Sequence, residues 1–433
     1  MMNKEYRFKS RRDFMKELTF FSSSATLLAS APWVQAFAQD NGKHSGANDT
    51  VRIGVIGTGS RGKYIMRKLQ RVEGCKIIAI CDIYKPNYDK GLELAGAGAK
   101  GFDDHRKMLE EMQDMDAVVV TSPLYCHAEH TIDSLQAGCH VFCEKSMART
   151  VADCQRMVDV QQETKKVLMI GHQRLFSPVY LHALERIKNG EIGDIKQVRA
   201  YWHRNNDWRR KCPDTSLERQ INWRLYLDSS AGLMTELASH QIQVANWFTG
   251  NIPTQVMGAG SICRWKDGRE VYDQVALVYD YANGSKLLYD SVIANKFYGL
   301  EEQIMGTQGT IEPEVNKFYL ENPPKMEKDP AIQRLVQNIG KDLTEAIPIG
   351  GASWVPEIKS KYTGEKVVEY KGDDGSQAQM DGFVKAVRNG KPYKRQLQEA
   401  YHASVGALLG EQAMLNNEIV QWTDENKILR DID

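Results

Sequence analysis

The chain has 433 residues, of which 42% are hydrophobic and 9% aromatic, so it is long enough to bury two full cores and is not expected to be disordered. Residues 1–38 hold six of its 56 basic and three of its 56 acidic residues, so 50 basic and 53 acidic residues follow them. A net charge this close to zero excludes the basic surface that DNA, RNA or an anionic membrane requires, and it favours a small neutral substrate.

The first 38 residues have the pattern of an export signal. Arg11 and Arg12 precede an apolar run over residues 18–34, which is shorter and richer in Ser, Thr and Ala than a membrane span. The Ala-x-Ala motif at 36–38 predicts cleavage before Gln39. The residues around the arginine pair, SRRDFMK, favour the twin-arginine route, which carries folded proteins, over the Sec route. We therefore predict a periplasmic protein, and we expect no lipid anchor because no cysteine directly follows the apolar run.

After a polar linker at residues 39–50, the sequence alternates short apolar strands with helix-like segments. The expected strands are VRIGVIG, KIIAICD, DAVVVTSP, HVFCEK and KVLMIGHQ. This order predicts a parallel sheet with right-handed crossovers, the N-terminal Rossmann doubly wound parallel sheet of an α/β protein, over residues 51–174. Four of the eight cysteines lie on or beside these strands and are interpreted as core thiols: Cys75, Cys81, Cys139 and Cys143.

From residue 175 the pattern changes to longer strands with aromatic residues: IKQVRAYWH, TQVMGAGSICRW, DQVALVYDY and SKLLYDSVIA. Asn283-Gly284 between the last two is a strong hairpin-turn signal. The pattern predicts a C-terminal α+β domain over residues 175–433 with a large open, mainly antiparallel sheet. Residues 312–380 lack periodicity and are expected to form an irregular excursion, and residues 396–422 have the apolar spacing of a closing helix.

The stretch Gly57-Thr58-Gly59-Ser60-Arg61-Gly62 leaves the first strand and opens a helix, as in a dinucleotide-binding fingerprint. Gly57 permits the tight turn, Gly59 lets a pyrophosphate approach the backbone, and Gly62 lets helix and strand pack closely. Asp82 ends the second strand, where a carboxylate accepts hydrogen bonds from the adenosine ribose and repels a 2′-phosphate. NAD is therefore favoured over NADP, although Arg61 could still reach a 2′-phosphate.

Three more motifs follow: Pro-x-x-x-His at 123–127, Glu144-Lys145, and Gly-x-x-x-Arg at 171–174. With them the chain resembles the Gfo/Idh/MocA family, the relatives of glucose-fructose oxidoreductase and inositol dehydrogenase, over roughly residues 51–310 and the closing helix. Ser146 stands where the family usually has proline. Besides the glycine stretch at 57–62, the resemblance implies cofactor contacts from Asp82, Ser122, Pro123, His127, Glu144, Lys145 and Arg174.

The resemblance also implies the catalytic residues. In the family a lysine at the position of Lys145 lies by the nicotinamide and the reacting hydroxyl, where an oxyanion that forms as hydride leaves needs a nearby cation. Glu236 and His240 are four residues apart on a predicted helix, hence on one face. The family has Asp-x-x-x-His there, with the histidine as general base and the acid assisting it, so Glu236 departs from the family by one methylene.

The stretch YWHRNNDWRRKCPDTSLERQINWRLY concentrates the aromatic faces and hydrogen-bonding groups that sugar sites combine. The same composition would fit an interdomain or subunit interface. No metal is predicted, because Cys139, His140 and Cys143 lie on a strand without a second cluster of zinc spacing. The predicted substrate-binding residues are His172, Trp202, His203, Arg204, Asn205, Trp208, Trp223 and His240.

These observations predict an exported NAD(P)-dependent oxidoreductase that transfers hydride from a secondary hydroxyl of a sugar or glycoside, with C3 as one candidate carbon. Its NAD is expected to be tightly bound, because free NAD is scarce outside the cytosol, and relatives suggest a homo-oligomer, either dimer or tetramer. One alternative is a glycoside hydrolase that oxidises, eliminates and re-reduces with bound NAD, using tyrosines such as Tyr201 and Tyr298; the His-Gly-Leu-Gly run of that branch is absent from the sequence. Another is a non-catalytic sugar or NAD sensor, against which Lys145 and His240 argue.

Overall fold

Six short apolar strands form the first sheet of the protein, whose computed structural model describes residues 50–321, 364–370, 372, 374–391 and 393–426. All pairs in the sheet are parallel, and the order β3-β2-β1-β4-β5-β6 is that of a doubly wound Rossmann sheet, as predicted. Its central strands are buried on both faces, which explains why they read as continuous apolar runs. The strands are β1 (Val51–Ile56), β2 (Cys75–Cys81), β3 (Lys100–Phe102), β4 (Ala117–Val120), β5 (His140–Cys143) and β6 (Leu168–Ile170).

Helices connect these strands, and two of them begin at a side chain that caps the first turn. The side chain of Asp104 accepts a hydrogen bond from Arg106 N at one helix start, and Thr150 Oγ1 accepts one from Asp153 N at another. The helices are α1 (Ser60–Leu69), α2 (Lys85–Ala95), α3 (His105–Glu111), α4 (His127–Gln136) and α5 (Val151–Thr164).

A nine-stranded sheet follows, in the order β14-β13-β12-β11-β7-β10-β9-β8-β15. The pair β7 and β10 is parallel and the other pairs are antiparallel, so the predicted mainly antiparallel sheet is confirmed. Its strands are β7 (Ile195–His203), β8 (Pro253–Ser261), β9 (Gln274–Tyr281), β10 (Lys286–Val292), β11 (Leu300–Gly306), β12 (Gly309–Glu312), β13 (Lys317–Leu320), β14 (Glu365–Lys366) and β15 (Val420–Gln421).

One face of this sheet is covered by helices, and the other carries exposed aromatic side chains such as Phe297 and Tyr298. No helix among the described residues is long and apolar enough to span a bilayer. The expected homo-oligomer stays a prediction. The further helical elements are α6 (Pro178–Lys188), α7 (Glu218–Ile221), a π-helical turn (Met234–Ala238), α8 (Ser239–Thr249) and the 3₁₀ turns Leu124–Cys126, Gln173–Phe176, Thr215–Leu217, Trp223–Leu225 and Asp424–Asn426.

The chain's C-terminal part differs from the sequence expectations in two places. The stretch 312–380 contains β13, β14 and the start of α9 (Ser376–Asn389), although most of it lies outside the described residues, as do the predicted signal peptide and nearly all of the predicted linker. A long helix, α10 (Lys394–Asn416), forms at the closing position. Its predicted end at residue 422 is wrong, because Asn417 takes a left-handed conformation with φ 53° and β15 then pairs with β8.

The two C-terminal helices complete the edge of the first sheet. Strand β6 has a neighbour on one side only, and its Ile170 N–H donates to Gln396 Oε1 at 3.1 Å. Gln379 Nε2 donates to Ile170 O at 3.2 Å, and Gln396 Nε2 donates to the same carbonyl. These side-chain amides supply bonds that a further strand would otherwise make. They fix the end of β6 next to Gly171.

We predict that Gln396→Leu lowers the free energy of unfolding by about 2–3 kcal/mol, because the buried Ile170 N–H loses its hydrogen-bond acceptor. Urea denaturation of the purified protein measures this loss. Gln412→Leu is the matched control: Gln412 lies on the same helix and bonds only to Glu418 Oε1 among the described residues, at 3.3 Å and exposed. Its effect is expected to be about 0.5 kcal/mol or less. Equal losses in the two variants would contradict the role of Gln396.

Candidate active site

Two glycines of the loop, Gly57 and Gly62, are required by close packing, whereas Gly59 has open space beside it. A Cβ on Gly57, whose φ is +89°, would lie 2.6 Å from Ser122 N, and one on Gly62 would lie 2.1 Å from Gly57 O. A Cβ on Gly59 would meet only Asn87 Nδ2, at 3.8 Å, among the described atoms. Gly59 is also the N-cap of α1 and, within the described residues, has no side-chain cap, so the first amides of that helix are available to an anion.

Asp82, at the end of β2, is held in place by the loop itself. Its Oδ2 accepts hydrogen bonds from Thr58 N at 2.8 Å and Thr58 Oγ1 at 3.3 Å, and its Oδ1 accepts one from Tyr84 N at 2.8 Å. Burial raises the pKa of Asp82, against the effect of these hydrogen bonds. Thr58 itself is fully buried and does not line the adjoining cavity. It therefore orients Asp82, which corrects its expected role as a direct cofactor contact.

A cavity of about 550 Å³ lies beside the loop. Part of its wall comes from residues 204–226, which follow β7 and which we call the cap segment. From this segment come Arg210, Lys211, Gln220, Ile221, Trp223 and Arg224. Of the residues predicted from the sequence, those that line the cavity are Gly57, Gly59, Ser60, Arg61, Asp82, Ser122, Pro123 and Trp223.

A second cavity, of about 240 Å³, adjoins the first, and the two share five residues in their walls: Arg61, Thr121, Ser122, Trp223 and Arg224. It lies where the carboxyl ends of β4 and β5 meet the start of α8. The structure brings together here seven further residues: Leu124, His127, Glu144, Lys145, Gln173, Glu236 and His240.

Lys145 reaches across from β5 to the π-helical turn. Its Nζ donates to Glu236 O at 2.8 Å and to Thr235 O at 3.3 Å. The Lys145–Ser146 peptide bond is cis, and Ser146 Oγ donates to Thr235 O at 2.9 Å. Burial lowers the pKa of Lys145, although the charges of Glu236 and Glu144 act in the opposite direction. The ammonium group is thus fixed by backbone carbonyls in a site with little water.

His127 and Glu144 support this lysine. The Nδ1 of His127 lies 2.8 Å from Ser146 O, and its Nε2 lies 3.0 Å from Ser122 O, so the ring joins the loops that follow β4 and β5. Glu144 Oε1 accepts a hydrogen bond from Arg61 Nε at 2.7 Å. Arg61 lines both cavities, so this ion pair lies at their junction, and a contact of Arg61 with a 2′-phosphate stays a prediction.

Glu236 and His240 differ in their protonation. Burial disfavours the charged form of Glu236, but the charges of Arg224 and Lys145 outweigh it and lower its pKa. Arg224 Nε donates to Glu236 Oε2 at 2.7 Å. Burial, with the charges of Arg174 and Lys145, lowers the pKa of His240 well below its usual value. Glu236 is therefore ionised and His240 neutral at pH 7.

The expected support of His240 by Glu236 is not formed among the described residues. The carboxylate bonds to Arg224 instead, and Nδ1 of His240 is buried without a hydrogen-bond partner there. Because Glu236 lies on a π-helical turn, whose bonds run from i to i+5, the four-residue spacing of an α-helix does not apply. Nothing in the local sequence signals this turn.

Comparison with known proteins agrees with this geometry. The family model described as the Gfo/Idh/MocA "Oxidoreductase family, NAD-binding Rossmann fold" matches residues 51–172, and that of the GFO/IDH/MocA C-terminal domain matches residues 180–312. Together they cover more than half of the chain. The chain belongs to the Gfo/Idh/MocA family. It is accordingly an NAD-dependent oxidoreductase with a Rossmann half and a family C-terminal domain.

Among the relatives of this family member, inositol 2-dehydrogenase of Salmonella typhimurium is 28% identical over 226 residues, which cover 48% of this chain and 67% of that protein. The structure of scyllo-inositol dehydrogenase from Lactobacillus casei with NAD(H) and scyllo-inositol has a TM-score of 0.62 at 20% identity, over 86% of this chain and 99% of that one. Levoglucosan dehydrogenase in complex with NADH and levoglucosan has a TM-score of 0.65 at 19% identity, also over 86% and 99%. At these identities the two structures show the shared fold.

The larger cavity fits the NAD of this family. Gly59 and the uncapped start of α1 would receive the pyrophosphate, and Asp82 would receive the adenosine ribose. The expected nicotinamide end is where the two cavities adjoin. Ser122 and Pro123 line the larger cavity there, and Glu144 and Lys145 line the smaller one.

Two of the predicted substrate residues lie behind His240. The ring of His172 is 5.8 Å from that of His240, and so is the ring of Trp202. His172 is fully buried, and both of its ring nitrogens are without a hydrogen-bond partner in the described structure. They form the wall that supports His240, since neither lines either cavity as described.

Arg174 is not at the cofactor cavity, which corrects the role implied by the resemblance. It lies inside the C-terminal domain, with its guanidinium 2.7 Å from Glu302 Oε1 and 2.6 Å from Glu314 Oε1. It also faces the ring of Trp202, at 5.8 Å. Its buried charge therefore acts on His240 from behind.

The rest of the tryptophan-rich stretch does not assemble into one sugar platform. Side chains alternate along a strand, so His203 faces away from Trp202 and pairs with Asp290 on the other side of the sheet. Arg204 stacks on Trp202 at 4.8 Å, and Asn205 forms an isolated bridge with Ala294. Trp208, with φ 60°, belongs to the cap segment without lining either described cavity.

Four residues at the site were missed by sequence reasoning. Arg224 pairs with Glu236, and His130 Nδ1 lies 2.9 Å from Ser122 Oγ beside the larger cavity. Arg210 and Lys211 face the glycine loop from the cap segment. The run Arg209-Arg210-Lys211 was a visible basic signal, whereas nothing near Arg224 or His130 indicated their partners.

The structure also shows the surroundings of one cluster of possible metal ligands and the state of the cysteines. His105, Glu129 and Asp133 have ligand atoms within 4.8 Å of one another, but Arg106 bonds to Glu129 and lies 3.2 Å from Asp133, so an arginine neutralises these carboxylates. All eight cysteines are free thiols. The predicted core thiols Cys81, Cys139 and Cys143 are buried, and Cys75 is partly buried.

We predict that Gly59→Ala weakens NAD binding about tenfold or more, because a methyl group would project where the anion approaches the backbone. The free energy of unfolding is expected to change by about 1 kcal/mol or less. In Gly62→Ala the methyl group would overlap Gly57 O, so a loss of about 1–3 kcal/mol of stability is expected. Fluorescence titration with NAD and urea denaturation separate the two effects. Unchanged NAD affinity in Gly59→Ala would contradict the assignment of Gly59 to the pyrophosphate site.

Proposed function

We propose that this protein oxidises a secondary hydroxyl group of a sugar or polyol by hydride transfer to NAD. The observation that carries the proposal is that Lys145 and His240 line one cavity of about 240 Å³, which adjoins the cavity suited to the dinucleotide. NAD, when bound, accepts the hydride at its nicotinamide ring.

His240 is suited to accept the hydroxyl proton. It lies at the cavity with a neutral ring, because burial lowers its pKa. Nδ1 is buried, so Nε2 is the nitrogen that faces the substrate. A neutral imidazole near a reacting hydroxyl can act as general base.

Lys145 is suited to stabilise the oxyanion that develops as hydride leaves. An ammonium group has three donors, and two are used by the carbonyls of Thr235 and Glu236. Among the described residues the third has no other acceptor and can point to the substrate oxygen. Because the group is buried and fixed, its charge acts with little screening by water.

The walls of the smaller cavity favour a compact polyhydroxylated ring. Glu144, Arg224 and Glu236 offer hydrogen-bonding groups around it, and Trp223 offers an aromatic face. Relatives named for inositols and levoglucosan support the same substrate class. We take a sugar or cyclic polyol as the substrate and C3 of a glucoside as the specific carbon to test first.

The redox-neutral hydrolase alternative gains no support from the two tyrosines considered for it. The rings of Tyr201 and Tyr298 are 5.7 Å apart on the open face of the second sheet. Neither lines the cavities that hold Lys145 or the glycine loop.

We further propose that the protein is exported by the twin-arginine route with NAD already bound and tightly held. The support is the sequence SRRDFMK before the apolar run and the Ala-x-Ala motif at 36–38. A folded Rossmann half can bind NAD before export, where the cofactor is available.

The function is tested by mixing mature protein and NAD with inositols, anhydrosugars and glucosides and following absorbance at about 340 nm, where NADH absorbs. We expect NADH formation, and a fall of kcat by about 10²–10⁴ in His240→Ala and in Lys145→Met. NAD affinity should persist in His240→Ala. His182→Ala, outside both described cavities, is the control. Cleavage of a glycoside without net formation of NADH would overturn the proposed dehydrogenase activity.

Export is tested with the double exchange Arg11→Lys and Arg12→Lys, which keeps the charge but removes the twin-arginine motif. The variant is expected to stay unprocessed in the cytoplasm, whereas the control Arg7→Lys is exported. Cell fractionation measures this. Periplasmic wild-type protein should retain NAD through gel filtration, measured by mass spectrometry. Normal export of the double variant, or nucleotide-free periplasmic protein, would contradict the proposal.

A further inference from the structure

The cap segment, which lines the cofactor cavity, is stabilised by ion pairs and hydrogen bonds. Arg209 Nε donates to Asp267 Oδ2 at 2.9 Å, and Arg209 Nη1 donates to Glu218. Arg269 Nη2 donates to Asp207 O at 2.6 Å. These bonds tie the segment to residues 267–269 of the same domain, so its side chains face the cavity from a fixed frame.

Arg210 has a fixed backbone within this frame. Its N–H donates to Asn222 Oδ1 at 2.7 Å, and Asn222 Nδ2 donates to Arg210 O at 3.0 Å. Asn222 is 2% exposed, so this pair of hydrogen bonds is shielded from solvent and fixes the backbone of Arg210. Arg210 and Gly59 both line the larger cavity.

The guanidinium of Arg210 differs from the other arginines of the cavity wall. Arg61 pairs with Glu144, Arg106 with Glu129, and Arg224 with Glu236. Among the residues that the structure describes, Arg210 has no carboxylate or carbonyl partner for its side chain. Arg210 is exposed where it lines the cavity, so its guanidinium is open to an anionic ligand there.

The electrostatic neighbours of Arg210 locate it between the two ends of the cavity. Its charge lowers the pKa of Lys63, which donates to Thr58 O at the ribose end. Arg224 and Glu236, at the catalytic end, are the charges that act on Arg210 itself. The middle of a bound dinucleotide is its pyrophosphate, and the start of α1 lines the same cavity as Arg210.

We propose that Arg210 of the cap segment is a cofactor-binding residue that forms an ion pair with the pyrophosphate of NAD, opposite the amides of the glycine loop. The dinucleotide is then gripped from both halves of the molecule. This inference depends on NAD as the cofactor and not on the proposed sugar substrate.

The test uses nucleotide-free mature protein and calorimetric titration with NAD, ADP and adenosine. In Arg210→Ala the Kd of NAD and of ADP is expected to rise about 10- to 100-fold, as for loss of a charge-assisted pair, with no change for adenosine. Arg210→Lys should recover part of the loss. Arg71→Ala, which removes the same charge from an exposed position outside the cavity, should bind like wild type. Thermal unfolding of the nucleotide-free variants checks that the fold is kept.

Unchanged NAD affinity in Arg210→Ala would overturn the inference. So would an equal loss for adenosine, which would indicate a structural role. Normal NAD binding with absent sugar oxidation would instead count against the proposed function, so the two failures are distinguishable.

Discussion

The fixed ammonium group of Lys145 is the interaction on which the arrangement of the site depends. It starts from the end of β5 and reaches two backbone carbonyls of the π-helical turn before α8. Ser146, next in the chain, bonds to one of the same carbonyls. The carboxyl edge of the Rossmann sheet is thereby joined to the helix that carries His240.

Burial has opposite consequences for the charged groups around that junction. It makes His240 neutral because no carboxylate near the ring compensates for lost hydration. It leaves Glu236 ionised, since Arg224 and Lys145 are close enough to outweigh the same loss. A neutral base, His240, and a fixed anion, Glu236, thus line the same small cavity. Their protonation states differ because the neighbouring cations are placed differently around each of them.

Sequence reasoning predicted the features that local chemistry determines. The strands before Gly57, Asp82 and Lys145 are short apolar runs with a turn at the end. Gly57 and Gly62 are required by steric contacts within a few residues or across one strand. The pairing of Glu236 with Arg224, the buried position of Arg174 and the cap segment depend on tertiary contacts. Trp202 and His203 show the limit directly: they are adjacent in sequence, yet strand alternation sends them to opposite faces.

The bonds from Gln379 and Gln396 to Ile170 bear on the order of folding. A strand of the cofactor-binding half is completed by side chains that follow it by more than two hundred residues. The edge of that half therefore stays unfinished during synthesis until α9 and α10 have left the ribosome. The chain's dinucleotide-binding half is contiguous in sequence from β1 to β6, but its last strand is completed by residues from the end of the chain.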